Sequence, residues 1–305
     1  MNDNVIKSRR DFLRKLCAIS GMITFLDGQM VIANVAHADA KKMKLGFVTY
    51  LWGKDWDNDT LIRNLTEAKI HGVELRVDHA HGVSPKLTMA ERQAVRKKYA
   101  DSPVTIVGMG TNQQYDYVEA EQLQSSIEET KAFIRLSHDI GSSGVKVKPN
   151  QFRNGVPHEK TIEQIGKALN EVARYGADYG QQIRLEVHGN ETQELPNIKA
   201  IIDVANHPNV TVCWNSNPTD LIGGGLKENF NMVKSHFGDT CHVRELNTAS
   251  YPFQDLIDLF VRNKYAGWIL LECSTEPEDK IKALIEQRNI FEKMVRTAES
   301  GTVSH

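Results

Sequence analysis

Short β-type runs recur eight times along this chain, and helical patterns separate them. Strands that alternate with helices pair in parallel through βαβ crossovers. Eight such units close a barrel, whereas five or six would favour an open sheet. Because no linker rich in Pro, Gly and Ser divides residues 39–305, the sequence predicts one (β/α)8 TIM barrel domain of the α/β class over that range. The runs begin near Lys44, Gly72, Val104, Gly144, Gln182, Val210, Cys241 and Gly267, with a mean spacing of about 32 residues.

The first 38 residues have the features of an export signal. A moderately apolar stretch from Leu16 to Val35 follows the run Ser8-Arg9-Arg10-Asp11-Phe12-Leu13-Arg14, and Ala36-His37-Ala38 forms an A-x-A cleavage pattern. This segment resembles a twin-arginine signal peptide, which implies the twin-arginine export machinery as a partner and a periplasmic or secreted mature protein cleaved after about Ala38. An amphipathic first helix and a retained anchor are the alternatives. No stable membrane span is expected, because Asp27 interrupts the apolar stretch.

Charge and cysteine content narrow the range of partners. The formal net charge is −2 and the pI is about 6.6, so the chain offers no positive field to attract nucleic acid. Four cysteines in 305 residues do not make a disulfide framework. We therefore interpret Cys213, Cys241 and Cys273 as small core residues and expect no nucleic-acid partner.

Strand alternation places many charged side chains inside the predicted barrel. Successive residues of a strand point to opposite faces, and the outward face should be apolar where it packs under helices. Burying unpaired charges costs several kcal/mol each, so these groups must pair, bind a metal or face a solvated cleft. For Arg184 and Lys146 a paired layer closing the bottom of the barrel is an equal alternative. The inward set is Glu74, Arg76, Lys146, Lys148, Arg184, Glu186, His188, His242, Arg244 and Glu272.

Three members of this set fall near the carboxyl ends of strands five, seven and eight. The active sites of TIM barrels form at that end of the strands. Two carboxylates and one imidazole, from Glu186, His242 and Glu272, suit Mn²⁺, Co²⁺, Zn²⁺ or Ni²⁺. The sequence therefore predicts one divalent metal ion as a cofactor.

The order of these motifs resembles one known family. The eight-unit pattern, Leu185-Glu186-Val187-His188, His242-Val243-Arg244-Glu245 and Leu271-Glu272 are similar to the xylose-isomerase-like barrels. That superfamily includes sugar phosphate isomerases and epimerases, such as D-tagatose 3-epimerase, and endonuclease IV.

The resemblance implies a ligand set with one departure. In D-tagatose 3-epimerase, Glu, Asp, His and Glu from strands five to eight hold the metal, and Glu186, His242 and Glu272 match three of them. Asn215 stands at the Asp position. Because an amide oxygen is a weaker ligand than a carboxylate, either Asn215 or His188 would complete the set. Pro218 replaces a substrate-binding His of that epimerase, so substrate handling must differ.

A metal flanked by two carboxylates suits proton abstraction beside a carbonyl, through an enediolate. The resemblance gives the catalytic roles to Glu186 and Glu272. We expect an exported, divalent-metal-dependent sugar isomerase or epimerase that acts on a non-phosphorylated sugar or keto-sugar. The alternatives are a keto-glycoside lyase acting by β-elimination and a non-catalytic sugar-binding barrel. An abasic-site nuclease is disfavoured by the few inward histidines and the pI.

The remaining candidates would contact the sugar at the mouth of the barrel. For His79 and His81 the alternative is a loop with solvated histidines, and for Trp52 it is packing within a loop. The seventh and eighth helices are the predicted surface for a homo-oligomer. The predicted substrate-binding residues are Trp52, Glu74, Arg76, His79, His81, Lys148, His188 and Arg244.

Overall fold

A computed structural model describes residues 23–26, 29–32 and 42–302 of the chain. The two short strands Ile23–Leu26 and Gln29–Ile32 pair with each other antiparallel. The twin-arginine run at 8–14 and the cleavage pattern at 36–38 lie outside the described residues, so export stays a prediction.

Residues 43 onward form alternating strands and helices. The barrel strands are β1 (Lys44–Val48), β2 (Gly72–Arg76), β3 (Thr105–Gln114), β4 (Gly144–Lys148), β5 (Gln182–Glu186), β6 (Val210–Cys213), β7 (Thr240–Val243) and β8 (Trp268–Leu271). The helices are α1 (Asn58–Ala68), α2 (Met89–Ala100), α3 (Ala120–Asp139), α4 (His158–Asp178), α5 (Leu195–Val204), α6 (Gly225–Val233), α7 (Phe253–Arg262) and α8 (Lys280–Thr302). Two 3₁₀ turns, Pro218–Leu221 and Lys234–His236, flank α6.

The eight strands form a nearly closed parallel barrel. Each strand from β1 to β5 pairs with the next, and β8 pairs with both β1 and β7, whereas β6 and β7 share no ladder among the described residues. Between β6 and β7, two backbone hydrogen bonds span the seam, from Gly238 N–H to Val212 O (3.0 Å) and from His242 N–H to Trp214 O (2.7 Å). The predicted (β/α)8 barrel is therefore confirmed, and the seam brings the ends of β6 and β7 side by side.

The outward faces of the strands pack beneath the helices as the alternation predicts. On β5, Ile183 and Leu185 are fully buried and belong to the same apolar cluster as Leu169 and Val172 of α4.

Helix α2 begins with a capping box, in which Thr88 Oγ1 accepts from the N–H of Glu91 while the Glu91 carboxylate accepts from the N–H of Thr88. Most of the helices bury an apolar stripe against the strands, whereas α2 buries only Tyr99 among its residues.

The interior departs from the branched aliphatic layers usual in such barrels. Gly108 and Gly110 on β3 face the carboxylate of Glu74, and a Cβ at Gly110 would stand 2.7 Å from Glu74 Oε1. A Cβ at Gly108 would meet Glu74 Oε2 and Arg184 Nη1, each at 2.9 Å. The glycines therefore leave the volume that two buried charged side chains fill.

Arg184 closes the lower part of this interior. Its guanidinium is fully buried and donates to Val107 O (2.7 Å), Ser143 Oγ (2.7 Å) and Gln182 Oε1 (3.1 Å). Asp239 lies 3.5 Å from Nη2. The predicted paired layer thus holds for Arg184, although carbonyl and hydroxyl oxygens do most of the pairing. Lys146 instead pairs with Glu186.

Two further expectations concern the described part of the chain. Cys213, Cys241 and Cys273 are buried free thiols, as small core residues should be. Among residues 42–302, none of the helices combines the length and the apolar character needed to cross a bilayer.

A buried carboxyl lies in the turn that follows β6. Asp220 Oδ2 accepts from the Tyr251 hydroxyl (2.7 Å) and from the N–H of Asn217 (2.9 Å), and the residue is fully buried. Burial raises the pKa of Asp220 from 3.8 to about 8, even though these two hydrogen bonds act to lower it. Folding therefore favours the protonated carboxyl.

Asp220 should make the stability of the protein fall as pH rises. Its folded-state pKa lies above the unfolded value, so folding takes up a proton and stability is lost between about pH 4 and about pH 8. Asn mimics the neutral carboxyl and still accepts from Tyr251. We expect the Tm advantage of Asp220→Asn over the wild type to grow by roughly 3 °C or more between about pH 5 and about pH 8.5, as measured by thermal denaturation. An equal Tm difference at both pH values would contradict this assignment.

Candidate active site

Three buried side chains meet at the carboxyl ends of the later strands. Glu186 ends β5, His242 lies within β7 and Glu272 directly follows β8. One ligand atom from each lies within 4.8 Å of the other two, and all three residues are buried. The structure therefore brings together the three residues that the sequence selected as metal ligands.

The imidazole of His242 is oriented by a fourth residue. His242 Nε2 lies 3.2 Å from Glu74 Oε1, while Nδ1 lies 3.3 Å from Glu186 Oε1 and 4.0 Å from Glu272 Oε2. Burial alone would lower the pKa of His242, but Cys213 and the carboxylates of Glu74 and Glu186 raise it well above its usual range. Glu74 thus lies at the Nε2 edge of the ring, while Glu186 and Glu272 lie at its Nδ1 edge.

Lys146 holds the second oxygen of Glu186. Its Nζ lies 2.7 Å from Glu186 Oε2, and both side chains are almost completely buried. Burial by itself would raise the pKa of Glu186, but Lys146 and His242 hold it well below the usual range. Glu186 is therefore ionised, with Oε2 bound to the ammonium and Oε1 directed at His242.

The amide of Asn215 lies between the two glutamates. Its Nδ2 donates to Glu186 Oε1 (3.2 Å) and to Glu272 Oε2 (3.4 Å). The buried Oδ1 has no hydrogen-bond partner in the part of the chain that the structure describes. A rotation of the Asn215 amide by about 180° about χ2 would exchange Nδ2 and Oδ1. The oxygen would then point at the place where the two carboxylates and His242 converge.

A ring of cations surrounds the mouth above this cluster. Arg76 Nη2 and Lys148 Nζ approach Asn112 Oδ1, at 3.4 and 3.1 Å. The Arg76 and Arg244 guanidinium carbons lie 4.8 and 6.0 Å from the centre of the Tyr50 ring. Arg244 also donates to Glu272 O (3.1 Å), with Glu272 Oε2 at 3.5 Å. The predicted mouth residues Arg76, Lys148 and Arg244 therefore surround one opening.

Several residues predicted to bind substrate occupy other positions. Glu74 is fully buried beneath His242, so it contacts the imidazole instead of facing the mouth. His81 is buried and both its nitrogens contact backbone, Nε2 at Arg76 O (2.7 Å) and Nδ1 at the N–H of Val83 (3.0 Å). Trp52 is also buried and donates to Thr275 O (2.7 Å). These contacts favour roles in holding the ring and the loops.

The two remaining histidines lie near the mouth. His79 is half-buried and places Nδ1 3.3 Å from Thr49 Oγ1. His188 is partly buried, and its Nδ1 lacks a hydrogen-bond partner among residues 42–302. Burial and the nearby Lys148 and Lys146 lower the pKa of His188, against the pull of Glu186. His188 is not among the three residues whose ligand atoms lie mutually within 4.8 Å, whereas Asn215 contacts the carboxylates of Glu186 and Glu272.

Sequence reasoning missed three residues of the site. Lys146 was assigned equally to a structural layer, and neither Tyr50 nor Asn112 was selected. Tyr50 lies two residues after β1, and Asn112 lies on β3, which runs to Gln114 instead of ending near Gly110. The unbroken polar run Thr111-Asn112-Gln113-Gln114 after Gly110 was the available signal for Asn112. For Tyr50 no signal was present, since an aromatic residue in a loop is common.

A family profile for xylose isomerase-like TIM barrels matches residues 62–293. The chain belongs to the xylose isomerase-like TIM barrel family. A search of curated proteins finds no match. The match spans α1 to most of α8, and so includes every residue of the buried cluster described above.

Solved structures of the same fold include sugar-converting enzymes. A 3-keto-D-glucoside 4-epimerase from E. coli is 12% identical, with a TM-score of 0.70, over 83% of this chain and 100% of the other. An L-ribulose 3-epimerase is 15% identical, with a TM-score of 0.72, over 86% and 98%. The IOLI protein, solved with a bound zinc atom, is 13% identical, with a TM-score of 0.68, over 84% and 99%. At these identities the similarity shows the shared fold.

The donor set at the centre of the barrel fits a divalent ion. Glu186, His242 and Glu272 supply two oxygens and one nitrogen, and Asn215 Oδ1 is a buried acceptor without a partner in the described residues. Oxygen and imidazole donors of this kind suit several divalent metals, so the set does not select among them. Two features weaken the attraction of this set for a cation: the Asn215 side chain is neutral, and Lys146 neutralises part of the charge of Glu186.

Replacing Asn215 by Asp should tighten metal binding. A carboxylate adds one negative charge and a stronger oxygen donor to the set, and ligand charge tunes divalent-ion affinity over decades. We expect Asn215→Asp to bind Mn²⁺ or Zn²⁺ at least about ten-fold more tightly than the wild type in calorimetric titration of chelator-treated protein. Asn289→Asp, an isosteric change on α8, serves as the control and should leave the affinity unchanged. Equal affinity in Asn215→Asp and the wild type would show that this side chain does not reach the ion.

Proposed function

We propose that this protein is a sugar isomerase or epimerase that moves a proton beside the carbonyl of a keto-sugar. The observation that carries the proposal is the convergence of two carboxylates, Glu186 and Glu272, on one imidazole within 4.8 Å at the mouth of the barrel. The sugar epimerases among the solved structures of this fold support the same chemistry.

The two glutamates are suited to different parts of the proton transfer. Glu186 is ionised and fixed by Lys146 at Oε2, so Oε1 remains the oxygen that can reach a substrate. Within 4.0 Å, the cationic groups near Glu272 among the described residues are Arg244 at 3.5 Å and His242 at 4.0 Å. In our proposal one glutamate removes the C–H proton and the other returns a proton, which inverts a centre or shifts the carbonyl.

A divalent ion bound by Glu186, Asn215, His242 and Glu272 would polarise the sugar carbonyl. Glu74 would then keep His242 Nδ1 directed at the site, and Lys146 would keep Glu186 from rotating away. Because Glu186, His242 and Glu272 are buried, bulk water would be kept away from the proton transfer.

Removal of either glutamate should abolish hydrogen exchange in the substrate. The assay incubates the metal-supplemented protein in D₂O with D-fructose, D-tagatose, L-ribulose and a 3-keto-D-glucoside, and follows the C–H signals by NMR. We expect exchange in the wild type and a fall of at least about 100-fold in Glu186→Gln and Glu272→Gln, because positioned acid–base groups contribute about 10²–10⁴-fold. Glu67→Gln, on the exposed face of α1, is the matched control and should retain full activity.

The same assay separates the alternatives. A rise in Tm with a sugar, together with no deuterium in the recovered sugar, would support a binding protein and contradict the proposed enzyme. Release of the aglycone from the 3-keto-D-glucoside would identify a lyase, because β-elimination begins with the same proton abstraction. Nicking of abasic DNA would revive the nuclease interpretation.

We also propose that the protein is exported through the twin-arginine machinery, on the strength of Arg9 and Arg10 and the A-x-A pattern that ends at Ala38. In a bacterial host, we expect the wild type to be periplasmic with an N-terminus near Asp39, and Arg9→Lys/Arg10→Lys to stay uncleaved in the cytoplasm. Fractionation and N-terminal sequencing of both proteins measure this. Unchanged processing of the double variant would argue against the twin-arginine route.

A further inference from the structure

We propose that the substrate carries an anionic group, a carboxylate or a phosphate, and that this group binds between Arg76 and Lys148 at the mouth of the barrel. The inference rests on the proposed function, since the anion would be one end of the keto-sugar whose other end reaches Glu186 and Glu272. It names the chemical class of substrate that the site selects.

Arg76 and Lys148 share one neutral acceptor. They end β2 and β4, and both side chains are directed at Asn112 Oδ1 from the intervening strand β3, at 3.4 and 3.1 Å. Both residues are partly buried. Within residues 42–302, neither has a carboxylate within 4.0 Å. Two cations therefore face one opening with a single amide oxygen between them.

Most other partly buried cations among residues 42–302 have acidic partners, although Lys280 donates to Leu51 O instead. Arg92 contacts Asp139, Arg153 contacts Asp116 and Lys131 contacts Glu171, each at 2.8 Å. The fully buried Lys146 likewise has Glu186. Because partial burial of a cation is costly without an opposite charge, the arrangement at Asn112 is the one that an external anion would complete.

Further positive charges lie close to Arg76 and Lys148. Burial, Lys146 and Arg76 lower the pKa of Lys148 to about 8, although Glu186 acts to raise it. Arg76 lies against the face of Tyr50, which leaves the guanidinium edge free to donate. Arg244, whose guanidinium carbon lies 6.0 Å from the centre of the same ring, adds a third positive charge, partly neutralised by Glu272. An anion at this position would relieve the repulsion between the cations.

The distance between Lys148 and the buried glutamates can be spanned by one small molecule. Lys148 follows Lys146 on the same face of β4, and two residues of a strand span about 6.6 Å. Lys146 in turn contacts Glu186. An anionic group beside Lys148 therefore lies about 6.6 Å, or about five bonds of an extended carbon chain, from a carbon at the level of Lys146 and Glu186. A sugar acid and a sugar phosphate both meet this requirement.

Binding measurements test the inference directly. The probes are D-fructose, the keto-sugar acid 5-keto-D-gluconate and D-fructose 6-phosphate, each titrated calorimetrically into the full-chain, metal-supplemented protein. We expect at least one of the anions to bind about ten-fold or more tightly than D-fructose, and its affinity to fall between about 50 mM and about 500 mM salt. Preference for 5-keto-D-gluconate would identify a carboxylate site, and preference for D-fructose 6-phosphate a phosphate site.

Substitutions of Lys148 and Arg76 test whether the anion binds between these two residues. Lys148→Gln and Arg76→Gln should each weaken binding of the preferred anion by about ten-fold and should weaken binding of D-fructose by a clearly smaller factor. Arg76→Lys retains the charge and should recover part of the loss. Arg174→Gln and Lys227→Gln remove the same charge from exposed helix positions and should bind like the wild type. Circular dichroism and Tm of each variant verify folding, and Lys148→Gln tests the site even where Arg76→Gln fails to fold.

The outcomes separate this inference from the proposed function. Similar affinities for all three probes, or an anion preference unaffected by both Lys148→Gln and Arg76→Gln, would overturn the anion site even if D-fructose exchanges deuterium. Anion binding that depends on these residues would support it even if none of the sugars exchanges a proton, in which case only the proposed enzymatic activity fails.

Discussion

The buried ion pair between Lys146 and Glu186 is the interaction on which the site depends. At 2.7 Å, with almost no exposure, it holds an ionised carboxylate inside a barrel where a lone charge would be prohibitively costly. His242 extends the same network from Glu186 to Glu74. The fold accommodates these charges because Gly108 and Gly110 leave the volume that branched side chains fill in other barrels. Packing and electrostatics are therefore coupled at the centre of this molecule.

The network also explains how the site differs from the ligand set that the family resemblance implies. Asn215 replaces an aspartate, which removes one negative charge, and Lys146 adds a positive charge next to Glu186. Both changes reduce the attraction for a divalent cation, while the geometry of Glu186, His242 and Glu272 still converges on one point. Closer to the mouth, Arg76 and Lys148 add two positive charges that no carboxylate within 4.0 Å neutralises among residues 42–302. A site with this distribution is better suited to an anionic sugar than to a neutral one.

Much of the fold and the centre of the site could be predicted from the sequence. Spacing and alternation placed Glu186, His242 and Glu272 on inward faces at the ends of their strands, because a strand has a strict period of two and a barrel directs every strand end to one face. The same reasoning correctly placed Glu74 inward but did not identify its partner His242, and loop position did not reveal the burial of His81 and Trp52. Alternation or loop position indicates where a residue lies, but not which backbone or side-chain group reaches its polar atoms first.

The sequence by itself determined the number of units, the closed barrel and the set of inward-facing charges, since these follow from local periodicity. Only the tertiary structure decided the partners: Lys146 with Glu186, Glu74 with His242, and Arg76 with Lys148 across Asn112. These pairs join different strands, and their contacts depend on the register between strands and on the space left by glycines. Register and space are properties of the assembled barrel, so no pattern along one segment contains them.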